Sequence, residues 1–132
     1  MRAIIEIEKG SKIKAELHEG GDEDKTLHKE CPYYYGYIKN TEAEDGDPAD
    51  AIIVSEKDYK KGQEVDIPLK DVIKMTDEGE KDDKFILAET EYNDEVRKEI
   101  KNYIREYKKS QGDDITIHRE RPNPFIEIRK VI

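Results

Sequence analysis

The order of apolar and polar positions divides the chain into short extended pieces and one helix. Ile5, Glu6, Ile7 and Glu8 alternate, Lys12 to Leu17 alternate again, and Lys9-Gly10-Ser11 lies between them, which predicts a first hairpin. In such strands Lys14 and Glu16 share one face. His18 to Lys25, with Gly20-Gly21, reads as an exposed loop, and Tyr33 to Ile38 as an aromatic strand interrupted by Gly36. Asn40 to Asp50 is acidic loop, and Ala51-Ile52-Ile53-Val54 is a buried strand. Glu64 to Leu69 and Val72 to Met75 are two further strands, with Lys70-Asp71 between them. Thr76 to Asp83 reads as a second acidic loop around Gly79, after which Lys84 to Ala88 and Ile115 to His118 return as strands.

One stretch has a strong helical period. Tyr92, Val96, Ile100, Tyr103, Ile104 and Tyr107 recur at spacings of three and four, predicting a helix over 94–110. Asn93 or Asp94 suits its N-cap, Lys108 and Lys109 its last turn, and Gly112 its end. The tail from Phe125 to Ile132 fits either a strand or a short helix. The expected fold is α+β, mainly β: a small, mostly antiparallel barrel of five to seven short strands with one long helix packed on it, in a single domain over residues 1–132.

The loop Asp45-Gly46-Asp47-Pro48-Ala49-Asp50 stands out in this layout. Gly46 permits backbone angles that other residues resist, and Pro48 fixes one dihedral. A rigid loop that holds three carboxylates together against their own repulsion points to a divalent cation. The loop has the carboxylate density of a calcium-binding loop but lacks the sixth-position Gly and later Glu of an EF-hand. A solvated acidic turn is the bland alternative for this loop alone; the second acidic loop, with Asp77 and Asp82, weighs against it.

Composition narrows the class. Charged residues make up 43% and hydrophobic ones 34%, so the core is thin, and bound metal or self-association is expected to steady it. The net charge of −9 is the wrong sign for a nucleic-acid backbone, and no basic membrane-surface helix is present. Cys31 is the only cysteine, and His18, His28 and His118 form no zinc pattern. The start of the chain lacks the apolar stretch of a signal peptide, so a soluble, cytoplasmic location is expected.

Tyr35-Gly36-Tyr37-Ile38, Asp45 to Asp50, Lys74-Met75-Thr76-Asp77, Asp82, Lys84 and Tyr107-Lys108, in this order and nearly this spacing, resemble the soluble family I inorganic pyrophosphatases. The resemblance implies a five-stranded barrel related to the OB fold that hydrolyses pyrophosphate to two orthophosphates with several Mg2+ ions per site. By the same resemblance, Asp45, Asp50 and Asp82 look like ligands of the tightly held metals, and Asp77 joins Asp82 at a further ion. Glu6 and Glu16 support the metal shell, with Glu16 on the substrate side. Asp47 orients the attacking water or takes its proton. Lys14, Tyr35, Lys84, Tyr107 and Lys108 look like the phosphate contacts, and pyrophosphate and other copies of the chain, in a homo-oligomer, are the implied partners.

Three departures from the family pattern are visible. The strand that usually carries a phosphate-binding arginine reads Asp24-Lys25-Thr26-Leu27-His28-Lys29, leaving Lys25 or Lys29 to substitute. Ala49 stands where a larger apolar residue is usual, and the long terminal helix is missing. Two other functions share the residues: a non-catalytic divalent-metal module, and a relative acting on another phosphoanhydride, a nucleotide or a polyphosphate.

Overall fold

The structure, a computed structural model, describes residues 1–15 and 24–132. Its strands are β1 (Arg2–Ile7), β2 (Ile13–Ala15), β3 (Asp24–Thr26), β4 (Tyr34–Ile38), β5 (Asp50–Val54), β6 (Glu64–Asp66), β7 (Leu69–Ile73), β8 (Met75–Asp77), β9 (Glu80–Lys81), β10 (Lys84–Ala88) and β11 (Ile115–Ile117). The helices are α1 (Asp94–Ser110) and α2 (Pro124–Arg129).

Five strands close a barrel. β1 pairs with β4, β4 with β5, β5 with β10, and β10 with β7. β6 returns to β1, and the Ile67-Pro68 link between β6 and β7 bonds to both sides: Ile67 donates to the Met1 carbonyl and Ala88 donates to the Pro68 carbonyl. β6 and β7 thus act as one bent strand. Proline removes a ladder donor, so the bend falls where the chain leaves one neighbour for the other. Most pairs are antiparallel as expected, but β5 and β10 run parallel. β11, β8 and β9 form a separate three-stranded sheet beside the barrel.

Two apolar layers explain the continuous apolar runs of β5 and β10. Ala51, Ile53, Phe85 and Leu87 face the barrel interior with Ala3, Ile5, Tyr34, Ile38 and Val72. Ile52, Val54, Ile86 and Ala88 face outward and are covered by Ile100 and Ile104 of α1. The helix keeps its predicted bounds, with Asn93 as its N-cap accepting from the Val96 amide and Gly112 at φ +77 just beyond its end. Gly36 is required by close approach: a Cβ there would fall 1.9 Å from the Ile4 carbonyl oxygen, across the β1–β4 ladder.

Four expectations need correction. Lys70 and Asp71 do not separate two strands but lie inside β7, because Asp71 is buried against Arg97 of α1. Thr76 to Asp83 is no open loop: β8 and β9 form a tight hairpin whose two turn residues, Glu78 at φ +52 and Gly79 at φ +80, both take positive φ. Asp24 to Thr26, expected to lie in or after a loop, form β3 against β2, while most of that expected loop lies outside the described residues. The strands are more numerous and shorter than the five to seven expected, since β6–β7 and β8–β9 are each divided. The tail settles as helix, with Asn123 capping the Phe125 amide and Pro124 in the first turn.

Asp71 ties α1 to the barrel. One oxygen accepts from the Val72 amide at 2.8 Å; the other accepts from Tyr92 Oη at 2.5 Å and from the Arg97 guanidinium. Burial works to raise this carboxyl, but the Tyr92 and Arg97 hydrogen bonds and the guanidinium charge outweigh it and hold the pKa below the ordinary aspartate value. A carboxyl depressed by folding stabilises the chain above the pKa of unfolded aspartate, about 3.9, and that contribution is lost as pH falls through the folded value. Asp71→Asn is expected to cost about 3–5 kcal/mol at neutral pH, as for one partner of a buried ion pair. Urea unfolding should show that gap shrinking as the medium becomes acidic; a gap independent of pH would contradict the ion-pair account.

Candidate functional site

Strand register decides which polar side chains meet. Tyr35 and Tyr37 of β4 lie opposite Ile52 and Asp50 of β5, and Asp50 lies opposite Lys84 of β10. Side chains alternate along a strand, so Tyr35, Tyr37, Asp50 and Lys84 fall on the outer face. They sit beyond the edge of the apolar layer under α1. The last turns of α1 bring Tyr107 and Lys108 to the same place, and the β8–β9 hairpin brings Asp77 and Asp82.

The Asp45 to Asp50 loop is held by its own polar groups. Asp45 Oδ1 accepts from the Asp47 amide at 3.0 Å, the Ala43 amide donates to the Asp47 carbonyl at 2.8 Å, and Gly46 takes φ +86. Thr41 Oγ1 accepts from the Ala49 amide at 3.0 Å, and Ala49 is buried in the barrel core. The loop therefore presents Asp45 and Asp47 to solvent while Ala49 anchors it.

The result is one cleft of about 390 Å³. Asp45, Asp47, Asp50, Asp77 and Asp82 line it together with Lys14, Tyr35, Lys84, Tyr107 and Lys108. Glu6 is buried and does not line the cleft; its charge is felt by Tyr37, which does. Glu16 lies outside the described residues. Lys29 is drawn to Glu106 and lies over the Tyr103 ring, so its ammonium is committed to α1 rather than to the cleft. Lys25 pairs by backbone with Lys14 across β2 and β3, and its side chain is not among the described groups.

Two lysines hold the acidic wall together. Lys84 Nζ donates to Asp50 Oδ2 at 2.5 Å and to Asp82 Oδ1 at 3.0 Å, with its side chain only 3% exposed. Burial works against that ammonium, but Asp50, Tyr35 and Asp82 outweigh it and hold its pKa well above the ordinary lysine value. Burial also works to raise Asp50, yet Lys84 and Lys14 keep it below the ordinary range. At Asp82 burial wins, with Asp50 adding to it, and the carboxyl is raised despite Lys84 and Lys108. Burial, with Asp50 beside it, pushes the Tyr35 phenol well up, so it stays protonated and able to donate. Lys108 Nζ donates to Asp77 Oδ2 at 2.7 Å and lies 3.4 Å from Asp82 Oδ2.

Several cleft residues escaped the sequence reading. Tyr37 was legible, since it sits two positions after Tyr35 and alternation puts both on one face. Asp113, just past the helix, lies 3.8 Å from Lys108 Nζ, and oxygens of Asp77, Glu78 and Asp113 all fall within 4.8 Å of one another. Its only local signal was its place after Gly112, where a chain leaving the helix turns back toward Lys108. Lys81 and Asp83 also line the cleft, and only tertiary packing puts them there.

The side-chain acceptors on this wall are carboxylate and phenol oxygens, and neither cysteine nor histidine lines it. One of them, Asp77 Oδ1, is buried with no hydrogen-bond partner. Hard oxygen donors of this kind suit a divalent cation of the magnesium or calcium type rather than a soft metal. Among the described residues no helix is long and apolar enough to cross a membrane.

Comparison with known proteins agrees with this geometry. The chain matches the sequence model described as inorganic pyrophosphatase over residues 3–123. It is 30% identical over 131 residues to a soluble inorganic pyrophosphatase of Zea mays, covering 86% of this chain and 61% of that one. It is 31% identical over 136 residues to an inorganic pyrophosphatase of Helicobacter pylori, covering 96% of this chain and 78% of that one. The chain thus spans less than two thirds of the length of the plant relatives. A solved Helicobacter pylori inorganic pyrophosphatase superposes with a TM-score of 0.82 at 26% identity, over 98% of this chain and 87% of that one.

The lysine bridge makes the acidic wall testable without any reaction. Lys84→Met leaves Asp50 and Asp82 facing each other, which should cost about 3–5 kcal/mol in the presence of a chelator. Added Mg2+ is expected to narrow the difference in melting temperature from the parent, because a divalent ion restores the missing positive charge. A difference that ignores Mg2+ would contradict this electrostatic account.

Proposed function

The chain belongs to the inorganic pyrophosphatase family, and we propose that it hydrolyses pyrophosphate to two orthophosphates as a single domain, with Mg2+ as the activating ion. The observation that carries the reading is the opposition, within one cleft, of five aspartates to three lysines and two tyrosines. In this proposal Asp45, Asp50, Asp77 and Asp82 hold the ions, and Glu6 and Glu16 support that shell from behind. Bound there, the ions neutralise substrate charge and acidify the attacking water.

The chain's own groups do the rest. Lys14, Lys84 and Lys108 take the phosphate oxygens as point charges, and Tyr35 and Tyr107 donate hydroxyl hydrogens without adding charge. Lys84 has a double task, since it already bridges Asp50 and Asp82; incoming cations release it toward phosphate. Asp47 sits at the exposed tip of the loop, with its own amide fixed by Asp45, where its carboxylate orients water or accepts a proton. A homo-oligomeric assembly and a cytoplasmic location belong to the same proposal, the former checked by sedimentation.

Phosphate release from pyrophosphate, with and without Mg2+, is the deciding assay, run beside tripolyphosphate and a nucleoside triphosphate. Release from pyrophosphate alone supports the proposal. No release above the metal-free control leaves a metal-binding module, and preference for a longer phosphoanhydride reassigns the substrate. Calcium is expected to compete and inhibit, because it tolerates irregular coordination and holds the reacting oxygens less strictly.

Two variants separate roles within the loop. Asp47→Asn should slow turnover by about a hundredfold or more while leaving metal binding near that of the parent. Asp50→Asn should instead weaken metal binding, measured by calorimetry. Equal, small effects from both would contradict the assignment.

A further inference from the structure

The β8–β9 hairpin, which carries Asp77 and leads into Asp82, is rooted in a row of buried charges that the proposed chemistry does not use. Lys74 stands immediately before β8, Lys81 ends β9, and Asp83 follows it. Glu127 of α2 reaches between them. Its Oε2 lies 3.6 Å from Lys74 Nζ and 3.8 Å from Lys81 Nζ, and Lys81 Nζ lies 3.6 Å from Asp83 Oδ2. The charges alternate along the row, positive, negative, positive, negative, and its last member adjoins Asp82.

Two features mark this row as more than surface pairing. The side chains of Glu127 and Asp83 are only 6% and 5% exposed, and Oε2 of the first and Oδ2 of the second make no hydrogen bond. Lys81 is held between those two oxygens by charge alone, beyond hydrogen-bond distance from either. It also lines the cleft that contains Asp77 and Asp82. An ammonium held this loosely moves to the strongest nearby negative potential, and the nearest alternative is the carboxylate wall of the cleft.

We propose that Glu127 is a positioning residue that keeps the Lys81 ammonium out of the cleft, leaving Asp77 and Asp82 open to a divalent cation. Lys84 and Lys108 already bridge those aspartates. A third lysine there would add positive charge where the cation has to sit. α2 thereby acts on the cleft without touching it. The inference rests on the metal-dependent reading of the cleft but not on pyrophosphate as the substrate.

The test uses the full chain and Mn2+ as the probe, with free ion followed by electron paramagnetic resonance and folding by thermal melting. Glu127→Gln should weaken Mn2+ binding about tenfold, the low end for a group that supports metal ligands. Adding Lys81→Met to it should restore binding, because the intruding ammonium is gone. A double variant as weak as Glu127→Gln, or a Glu127→Gln that only melts earlier with Mn2+ affinity unchanged, would overturn the proposal. Lys81→Met alone keeps the question answerable if Glu127→Gln does not fold: Mn2+ should bind it at least as tightly as the parent, and weaker binding overturns the proposal. A parent that binds Mn2+ with this pattern of variants but releases no phosphate from pyrophosphate would sustain the role of Glu127 while refuting the substrate.

Discussion

Like charges can share a small cleft only when a counter-charge is built in, and the ammonium of Lys84 meets that requirement here. It lies almost wholly out of solvent, between Asp50 at the start of β5 and Asp82 just before β10. A buried lysine would ordinarily lose its proton, and the two carboxylates would ordinarily gain one. The mutual arrangement decides otherwise for Lys84 and Asp50, while Asp82 keeps the stamp of its burial. The acidic wall is therefore a set of ligands preassembled around a cation that the chain itself supplies. Lys108 repeats the device at Asp77.

That arrangement dictates much of the architecture around it. Lys84 reaches Asp50 because the two occupy matching positions in adjacent parallel strands, and a one-residue slip would turn one of them into the barrel core. The register is fixed by the apolar residues behind them, Ala51 and Ile53 against Phe85 and Leu87 inside, Ile52 and Ile86 under the helix outside. Packing energy thus specifies an electrostatic contact that could not specify itself. Asp71 and Arg97 do the same for the helix, pinning its first turns so that its last turns deliver Tyr107 and Lys108.

The parts legible in the sequence are those written in local periodicity. The bounds of α1 followed from the stripe Tyr92 to Tyr107 and its caps, and Lys84 to Ala88 from an unbroken apolar run. The cleft aspartates were legible because two acidic clusters flanked strands. What stayed hidden depends on partners far along the chain. Asp71 looks like a turn residue until Arg97, twenty-six positions later, makes its burial tolerable. The β8–β9 turn puts Glu78, a poor residue for positive φ, where Asn or Asp is usual, and its side chain compensates by accepting from the Asp114 amide at 2.8 Å. Glu127 carries no local signal at all, since its meaning lies in Lys74 and Lys81.

The parallel pairing of β5 with β10 has a consequence for the order of folding. Hairpins such as β8–β9 close by local contacts, but a parallel pair needs a long crossover, and here Asp50 and Lys84 are 34 positions apart. Loop-closure entropy must be overcome before that ladder yields any stabilisation. The carboxylates consequently remain scattered in early collapsed states, and the cleft comes into being in a single late event, when the two strands dock and the ammonium is sealed between them. A newly made chain would then pass from having no cation site to having a complete one within one cooperative step.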